Sequence, residues 1–294
     1  MTDSFKTIAL IGKHQSPDVA ESVMGLAAVL HERGVTVWIE RGTASSIPAG
    51  QDFQLVTYEE ISAGSDLAIV FGGDGTLLNA ARRLAEGGVP LVGVNQGRVG
   101  FLTDVARDDA VRAIGRILEG EFVEERRFML SGEILRQGER VFHALALNDV
   151  VLNKADVGRL IEFDLHVDGE FVYTQRSDGM IVASPTGSTA YALSANGPIL
   201  HPAIAGIAVV PLCPHALTAR PVTLPDTCTI EIHLLAPHDA RAHFDGQARF
   251  DVRADDCIRI SRSPHTIRLL HPHDYSYFAM LREKLHWSAV PRSS

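Results

Sequence analysis

Three cysteines, Cys213, Cys228 and Cys257, are all that this 294-residue chain contains, and no two of them stand in a CxxC spacing. An odd, unpaired set excludes a disulfide framework and points to reduced thiols in a cytoplasm. Long apolar runs are missing as well. Ile8 to Ile11 is too short for a signal or a span, and the weakly polar stretch Ala203 to Cys213 is broken by Gly206 and Pro211. Positive charge is scarce: 27 Lys and Arg against 36 Asp and Glu leave a net charge of −9. That balance excludes general nucleic-acid binding and attachment to an acidic membrane. A polyanionic substrate must therefore meet locally placed Arg and Lys. Familiar nucleotide signatures are absent too. Gly12-Lys13-His14 lacks the upstream glycine and the following Ser/Thr of a P-loop, and no GxGxxG follows the first apolar run. The histidines form no HExxH, and His271-Pro272-His273 reads as a loop before a last helix. No fixed-period repeat or low-complexity segment is present.

What is there describes an ordinary globular chain, 46% apolar and 21% charged, with ample core. At roughly 150 residues per domain the length suits two domains. The first hundred residues alternate strand and helix signals. Thr7 to Ile11 is a strand, ended by Gly12. Val19, Val23, Leu26, Ala27 and Leu30 recur at helical spacing, closed by Gly34. Val35 to Ile39 is a second strand, followed by a loop carrying Ser45, Ser46, Pro48 and Gly50. Further strands fall at Leu67 to Phe71 and Pro90 to Val94, with a helix between them to about Glu86 and another from about Asp104 to Leu118. This order predicts a parallel sheet flanked by helices. From about Arg126 short alternating runs with turn signals predict antiparallel β structure to about residue 270. The tail, Tyr275 to Trp287, regains helical spacing through Phe278, Leu281 and Leu285 and is expected to return to the first domain. The expected fold is thus an α/β domain, 1–125 with 271–294, plus a mostly antiparallel all-β domain, 126–270.

Chemistry concentrates in a few places. Gly72-Gly73-Asp74-Gly75-Thr76 follows the apolar run Leu67 to Phe71 and opens a helix, a natural anion site. Asp74 would repel a bare phosphate there, a conflict resolved if it faces a hydroxyl or a phosphate-bound metal ion. A tight turn in which Asp74 merely caps the helix is the other reading. A second glycine loop, Gly93-Val94-Asn95-Gln96-Gly97-Arg98-Val99-Gly100-Phe101-Leu102-Thr103, is expected beside the first on the same sheet edge. In the β region, Arg176-Ser177-Asp178-Gly179 leads into Ser184-Pro185-Thr186-Gly187-Ser188-Thr189-Ala190-Tyr191. Those small hydroxyl residues permit close backbone approach and hydrogen bonds to a ligand, and Tyr191 offers a face for adenine. The competing reading is a short helix capped by Ser188, with Tyr191 in the core. Asn148-Asp149 suits a base or ribose hydroxyls, and Asp245-Gly246-Gln247 looks like a hairpin turn.

Taken together, Gly72 to Thr76, Asn95 to Thr103, Asn148-Asp149 and Asp178 through Pro202 resemble the bacterial NAD kinases, over essentially the whole chain. Ser184 to Tyr191, followed by Leu193-Ser194 and Gly197-Pro198-Ile199-Leu200, is the most specific part of the resemblance. Ser184 stands where Thr is common, and Asn196 where Gly is common. The resemblance implies transfer of the ATP γ-phosphoryl group to the 2′-hydroxyl of the adenosine ribose of NAD, giving NADP. It implies Asp74 as catalytic base, with Gly72, Gly73, Gly75 and Thr76 around the ATP phosphates and Mg²⁺, for which no protein ligand is expected. Asn148, Asp149, Thr189, Ala190, Tyr191 and Ser194 would hold adenosine, and Asp178 the nicotinamide end or a neighbouring adenine. Gln247 is a further binding candidate. Arg159 would contribute from an adjacent subunit, and Arg176 would favour oxidised NAD. The resemblance also implies a cytoplasmic homodimer or homotetramer built through the β domain, with no nucleic-acid or membrane partner. The alternatives are a lipid or sugar kinase sharing the Gly-Gly-Asp-Gly-Thr loop, or a non-catalytic dinucleotide sensor.

Overall fold

The computed structural model describes residues 5–13, 16–45, 47, 53–97, 100–155, 159–235 and 240–287. His14, Ser46, Pro48, Gly50, Arg98 and Val99, which the sequence reading singled out, lie outside the described residues. The chain divides into two compact units, 1–126 with 267–294, and 127–266.

In the first unit, strands β1 (Thr7–Gly12), β2 (Thr36–Glu40), β3 (Gln54–Val56), β4 (Leu67–Phe71) and β5 (Leu91–Asn95) pair in parallel in the order β5-β4-β1-β2-β3. Both β4 and β5 are buried along their whole length, which is why they read as continuous apolar runs. Helix α1 (Pro17–Glu32) buries Val19, Val23, Leu26, Ala27 and Leu30 against the sheet. The segment expected to be a loop after β2 instead holds α2 (Arg41–Ala44), β3 and α3 (Tyr58–Gly64). Local capping accounts for α3. The Thr57 hydroxyl accepts from Glu60 N at 3.3 Å, and the Glu60 carboxylate accepts from Thr57 N at 2.7 Å. Helix α4 (Asp74–Leu84) follows β4 directly. The expected helix from Asp104 begins later: Val105–Ala106 is a short strand, β6, paired with β5, and α5 spans Ala110–Leu118.

The chain reverses direction of build after strand order β1-β2-β3 has grown on one side of β1. It then returns to lay β4 and β5 on the other side. The carboxyl ends of β1 and β4 therefore flank the switch point where α/β sheets bind ligands. Helix α7 (Tyr277–Leu285) buries Met280 and Leu281, while Phe278, expected on its apolar stripe, is exposed.

The second unit is a sandwich. One sheet runs β14 (Val222–Pro225), β13 (Gly206–Leu212), β12 (Gly179–Ala183), β9 (Asp149–Lys154), β16 (Ala240–Phe244), β17 (Ala248–Val252), all antiparallel. The facing sheet is built from β10 (Ile161–Val167), β11 (Glu170–Ser177) and β15 (Ile230–Leu234), also antiparallel. Strands β7 (Phe122–Arg136) and β8 (Glu139–Ala146) form a hairpin, and β18 (Cys257–Pro272) pairs with β15. Alternate residues of both sheets interleave in one core, including Leu152, Phe163, Val182, Ile232 and Phe244. The opposite face of the first sheet carries Val151, Ile181, Ala183 and Val210, covered by Ala192 of the short helix α6 (Tyr191–Ser194). Phe163 is fully buried at the centre of the sandwich. Phe163→Ala should lower unfolding free energy by about 3–5 kcal/mol, read as a lower urea midpoint at unchanged slope.

Candidate functional site

Asp74 occupies the first turn of α4, yet it does not cap that helix: the N-cap is Gly73, and the turn closes through Thr76 N donating to Gly73 O at 2.9 Å. The carboxylate turns instead to the second glycine loop. Its Oδ2 accepts from Phe101 N at 2.9 Å, and its Oδ1 accepts from Leu102 N at 3.0 Å, Thr103 N at 3.2 Å and the Thr103 hydroxyl at 3.2 Å. This contact arises because β4 and β5 are parallel neighbours, so the loops after them leave the sheet at the same edge. Gly100 makes room for it, since a Cβ there would lie 1.9 Å from Asp74 Oδ1. A carboxylate carries about four lone-pair sites. Three donors fill Oδ1, but Oδ2 has one donor and keeps capacity for a further hydroxyl. Gly73 and Gly75 are exposed beside it, while Gly72 is buried.

Gly75 and Thr76 also border a cleft of about 310 Å³ at the switch point, lined by Gly12, Lys13, Glu40, Tyr58, Asn79 and Arg83 among others. Lys13 and Arg83 bring two cationic side chains to this cleft. Arg83 stacks over the Tyr58 ring at 4.1 Å from its centroid, and burial, with Glu40 nearby, pushes the Tyr58 hydroxyl up to about 12. The sequence reading missed these residues. Lys13 directly follows β1, and strand order alone brings it to the β4 turn: its N donates to Phe71 O at 3.0 Å.

In the second unit, a cleft of about 380 Å³ is lined by Asn148, Asp149, Asn153, Ala190, Tyr191 and His243, with Val151, Asp245 and Gly246. Antiparallel register builds it. Val151 pairs with His243, and Asn153 with Arg241, so these side chains share the sheet face that α6 leaves open beside β9 and β16. Asn153 and His243 were not foreseen, because the pairing of β9 with a strand almost a hundred residues later is invisible to local pattern. Tyr191 is 46% exposed, which removes the reading of it as core.

Asp245 begins the β16–β17 turn with a left-handed φ of 52°, and its carboxylate accepts from Leu147 N at 2.9 Å, Asn148 N at 2.7 Å and Asp149 N at 3.2 Å. The turn expected at Asp245-Gly246-Gln247 is therefore also the anchor of Asn148-Asp149. Gln247 is exposed in that turn and does not line the cleft. Burial, with the neighbouring charge of Asp245, pushes the Asp149 carboxyl up to about 7.

The hydroxyl cluster is spent largely on itself. Ser184 donates to Leu147 O and accepts from Gly187 N at 3.2 Å; Ser188 donates to Pro185 O at 2.6 Å and accepts from Leu200 N at 2.9 Å. Thr189 donates to Thr186 O at 3.2 Å, and the buried Arg127 donates to Thr186 Oγ1 at 3.2 Å. A Cβ on Gly187 would lie 2.1 Å from Asn148 O, so the cluster presses directly on the Asn148 backbone. Ser194 is exposed and lines a second groove with Tyr191, Asn196, Cys213 and Arg220. Asp178 lies beyond Asn153 at the other end of β9, bonded to Lys154 at 2.5 Å. Arg176 is exposed on β11, 3.8 Å from Glu162, and Arg159 is exposed.

These motifs sit in a family with known members. The sequence profile of the ATP-NAD kinase N-terminal domain matches residues 8–122, and that of the ATP-NAD kinase C-terminal domain matches residues 147–271. The chain belongs to the ATP-NAD kinase family. It is 70% identical over 292 residues to an NAD kinase of Azoarcus sp. (strain BH72), covering 99% of both chains. It is 50% identical over 283 residues to an NAD kinase of Thiobacillus denitrificans, covering 96% of this chain and 97% of the relative. Among solved structures, an NAD kinase from Archaeoglobus fulgidus in complex with ATP matches with a TM-score of 0.76 at 26% identity, covering 95% of this chain and 98% of that one. A yeast NADH kinase complexed with NADH matches with a TM-score of 0.91 at 22% identity, covering 100% of this chain and 91% of that one, which establishes the shared NAD kinase fold.

Two measurements test this geometry. Gly100→Ala should push the Asp74 carboxylate off the loop and cut kcat by about a hundredfold with an unchanged far-ultraviolet circular dichroism spectrum. Between about pH 4 and about pH 7 the unfolded chain has already released the Asp149 proton that the folded chain retains, so this group lowers stability as pH rises through that window. Asp149→Asn should therefore gain thermal stability over the wild type on the order of 1–3 kcal/mol at about pH 8 and little at about pH 4.

Proposed function

We propose that Asp74 is the base, and Asn148-Asp149 with Ala190 and Tyr191 the adenosine site, of this ATP-NAD kinase. The enzyme transfers the γ-phosphoryl group of ATP to the 2′-hydroxyl of the adenosine ribose of NAD, giving NADP. The observation that carries the residue assignment is the open lone-pair capacity of Asp74 Oδ2 on an otherwise saturated carboxylate. A hydroxyl donating to Oδ2 is aligned by a group that cannot swing, because four donors hold it. As the ribose oxygen attacks phosphorus, its proton passes to Oδ2. Phosphoryl transfer gains most from alignment and charge neutralisation, and the loop supplies the first.

In the second unit, Tyr191 offers its exposed ring as a stacking surface, and Asn148 an amide that can read a base edge. Asp149, near the midpoint of its titration at neutral pH, can both donate and accept a hydrogen bond. Lys13 and Arg83, beside Gly75-Thr76, suit the phosphates of ATP. Mg²⁺ would be carried largely by the phosphates of ATP and by water, so no protein ligand is named for it. When bound it neutralises charge on the phosphoryl oxygens. Thr189, Ser194, Asp178 and Gln247 flank this site, Arg176 biases it towards oxidised NAD, and Arg159 serves a neighbouring copy in a homodimer or homotetramer. Among the described residues no helix is long and apolar enough to cross a membrane.

Purified protein given NAD, ATP and Mg²⁺ should yield NADP, while lipid and sugar acceptors stay unmodified. Asp74→Asn should lower kcat by about 10²–10⁴-fold and leave the KM for NAD within about threefold. Equal loss of turnover and NAD binding would sink the assignment of Asp74 as base.

A further inference from the structure

The His271-Pro272-His273 sequence looks like a loop, but His271 lies in the last strand, β18, and is only 2% exposed. Its Nδ1 is 2.9 Å from Asp104 Oδ2, its Nε2 is 3.2 Å from Glu125 Oε2, and the Tyr275 ring stacks on it at 3.9 Å. Carboxylate oxygens only accept, so both ring nitrogens can be satisfied only when both carry a proton. The geometry therefore requires the imidazolium. A neutral ring would aim a lone pair at one of the two carboxylates.

The groups facing His271 are Asp104 from the segment before β6, Glu125 from β7 and Tyr275 from the turn after β18. The next charges along β7, Glu124 and Arg126, are engaged elsewhere, Glu124 with Arg268 at 2.7 Å and with Arg126 at 2.9 Å. Asp104 Oδ1 is buried with no hydrogen-bond partner among the described residues, so that carboxylate is met on one side, by His271. Asp104 directly follows Thr103, whose N and hydroxyl both hold Asp74 Oδ1. One peptide bond separates the two contacts, and Gly100 N donating to Thr103 O at 3.0 Å closes the loop between them.

We propose that His271 is a positioning residue for the phosphoryl-transfer site: as an imidazolium bridging Asp104 and Glu125, it fixes the Phe101–Thr103 backbone that clamps the Asp74 carboxylate. The proposal rests on Asp74 as the base. Burial works against the charge on His271, but its hydrogen bonds to Asp104 and Glu125 outweigh it and hold the pKa above the usual histidine range. The latch is therefore complete at and below the ordinary histidine range and is lost as pH rises through the raised value.

Glu125→Gln separates this role from simple packing. The side-chain amide introduced by that substitution can donate to a neutral Nε2 while Nδ1–H still donates to Asp104, so the latch no longer needs a charge. The experiment follows amide hydrogen exchange at Phe101, Leu102 and Thr103 by NMR without substrate, and kcat against pH, in the full chain. In the wild type, protection of those amides, corrected for intrinsic exchange, should fall about tenfold as the His271 ring loses its proton. In E125Q that fall and the matching alkaline loss of kcat should both disappear. His271→Gln should lower kcat about tenfold with KM for NAD and ATP within about twofold. The idea is overturned if E125Q keeps the wild-type pH midpoint, or if H271Q loses only melting temperature while protection and kcat stay at wild-type values. If H271Q does not fold, E125Q alone decides. Full turnover by Asp74→Asn would remove the base assignment and leave the exchange result standing, so the two failures are distinguishable.

Discussion

The first unit depends on one carboxylate meeting three consecutive backbone amides. Asp74 leaves the end of β4, reaches across to the loop after β5 and takes the Phe101, Leu102 and Thr103 N–H groups together with the Thr103 hydroxyl. Charge-assisted bonds of this kind are stronger than neutral ones, and four of them fix both partners. The carboxylate loses its freedom to rotate, and the loop loses its freedom to drift. Each neighbouring feature follows from this constraint. Gly100 is needed because the contact is too close for a Cβ. The adjacency of β4 and β5 is needed because the reach of an aspartate is short.

The second unit repeats the device with different consequences. Asp245 takes the amides of Leu147, Asn148 and Asp149 and so places its own charge beside the buried Asp149. Burial first, and then the charge of the carboxylate that organises the loop, raise the pKa of Asp149 to about 7. The result is a group that changes protonation near neutral pH inside the cleft proposed for adenosine. The serines around it act as internal struts. Ser184 and Ser188 satisfy Leu147 O, Pro185 O, Gly187 N and Leu200 N, which lets an irregular segment be buried without orphaned backbone groups.

Much of the fold was legible because its signals are local. The apolar runs at Leu67 to Phe71 and Leu91 to Val94, the helical spacing in α1 and the alternation in β10 and β15 each reflect burial on a definite face. The segment after β2 was not legible, since α2 and β3 are only four and three residues long. Their stability comes from packing and capping, not from a periodicity. The candidate site was conspicuous in part for the same reason. Asp74, Asn148-Asp149 and Tyr191 stand in distinctive short motifs. Lys13, Arg83, Asn153 and His243 have no motif and gain meaning only from strand order and register.

The sequence by itself determined the family, the reaction class and the two-part α/β and β architecture, because each rests on contiguous residues whose chemistry is recognisable in one stretch. Only the tertiary structure decided what those residues do for one another. It showed that Asp74 grips the Phe101–Thr103 loop and does not cap its own helix. It showed the hydroxyl cluster bonded inward, and His271 buried between two carboxylates where the sequence promised a loop. The physical reason is reach. A hydrogen bond is made between atoms about 3 Å apart in space, and the sequence distances across the Asp74 and His271 contacts, from 27 residues for Asp74 and Phe101 to 167 for Asp104 and His271, leave no mark on local composition.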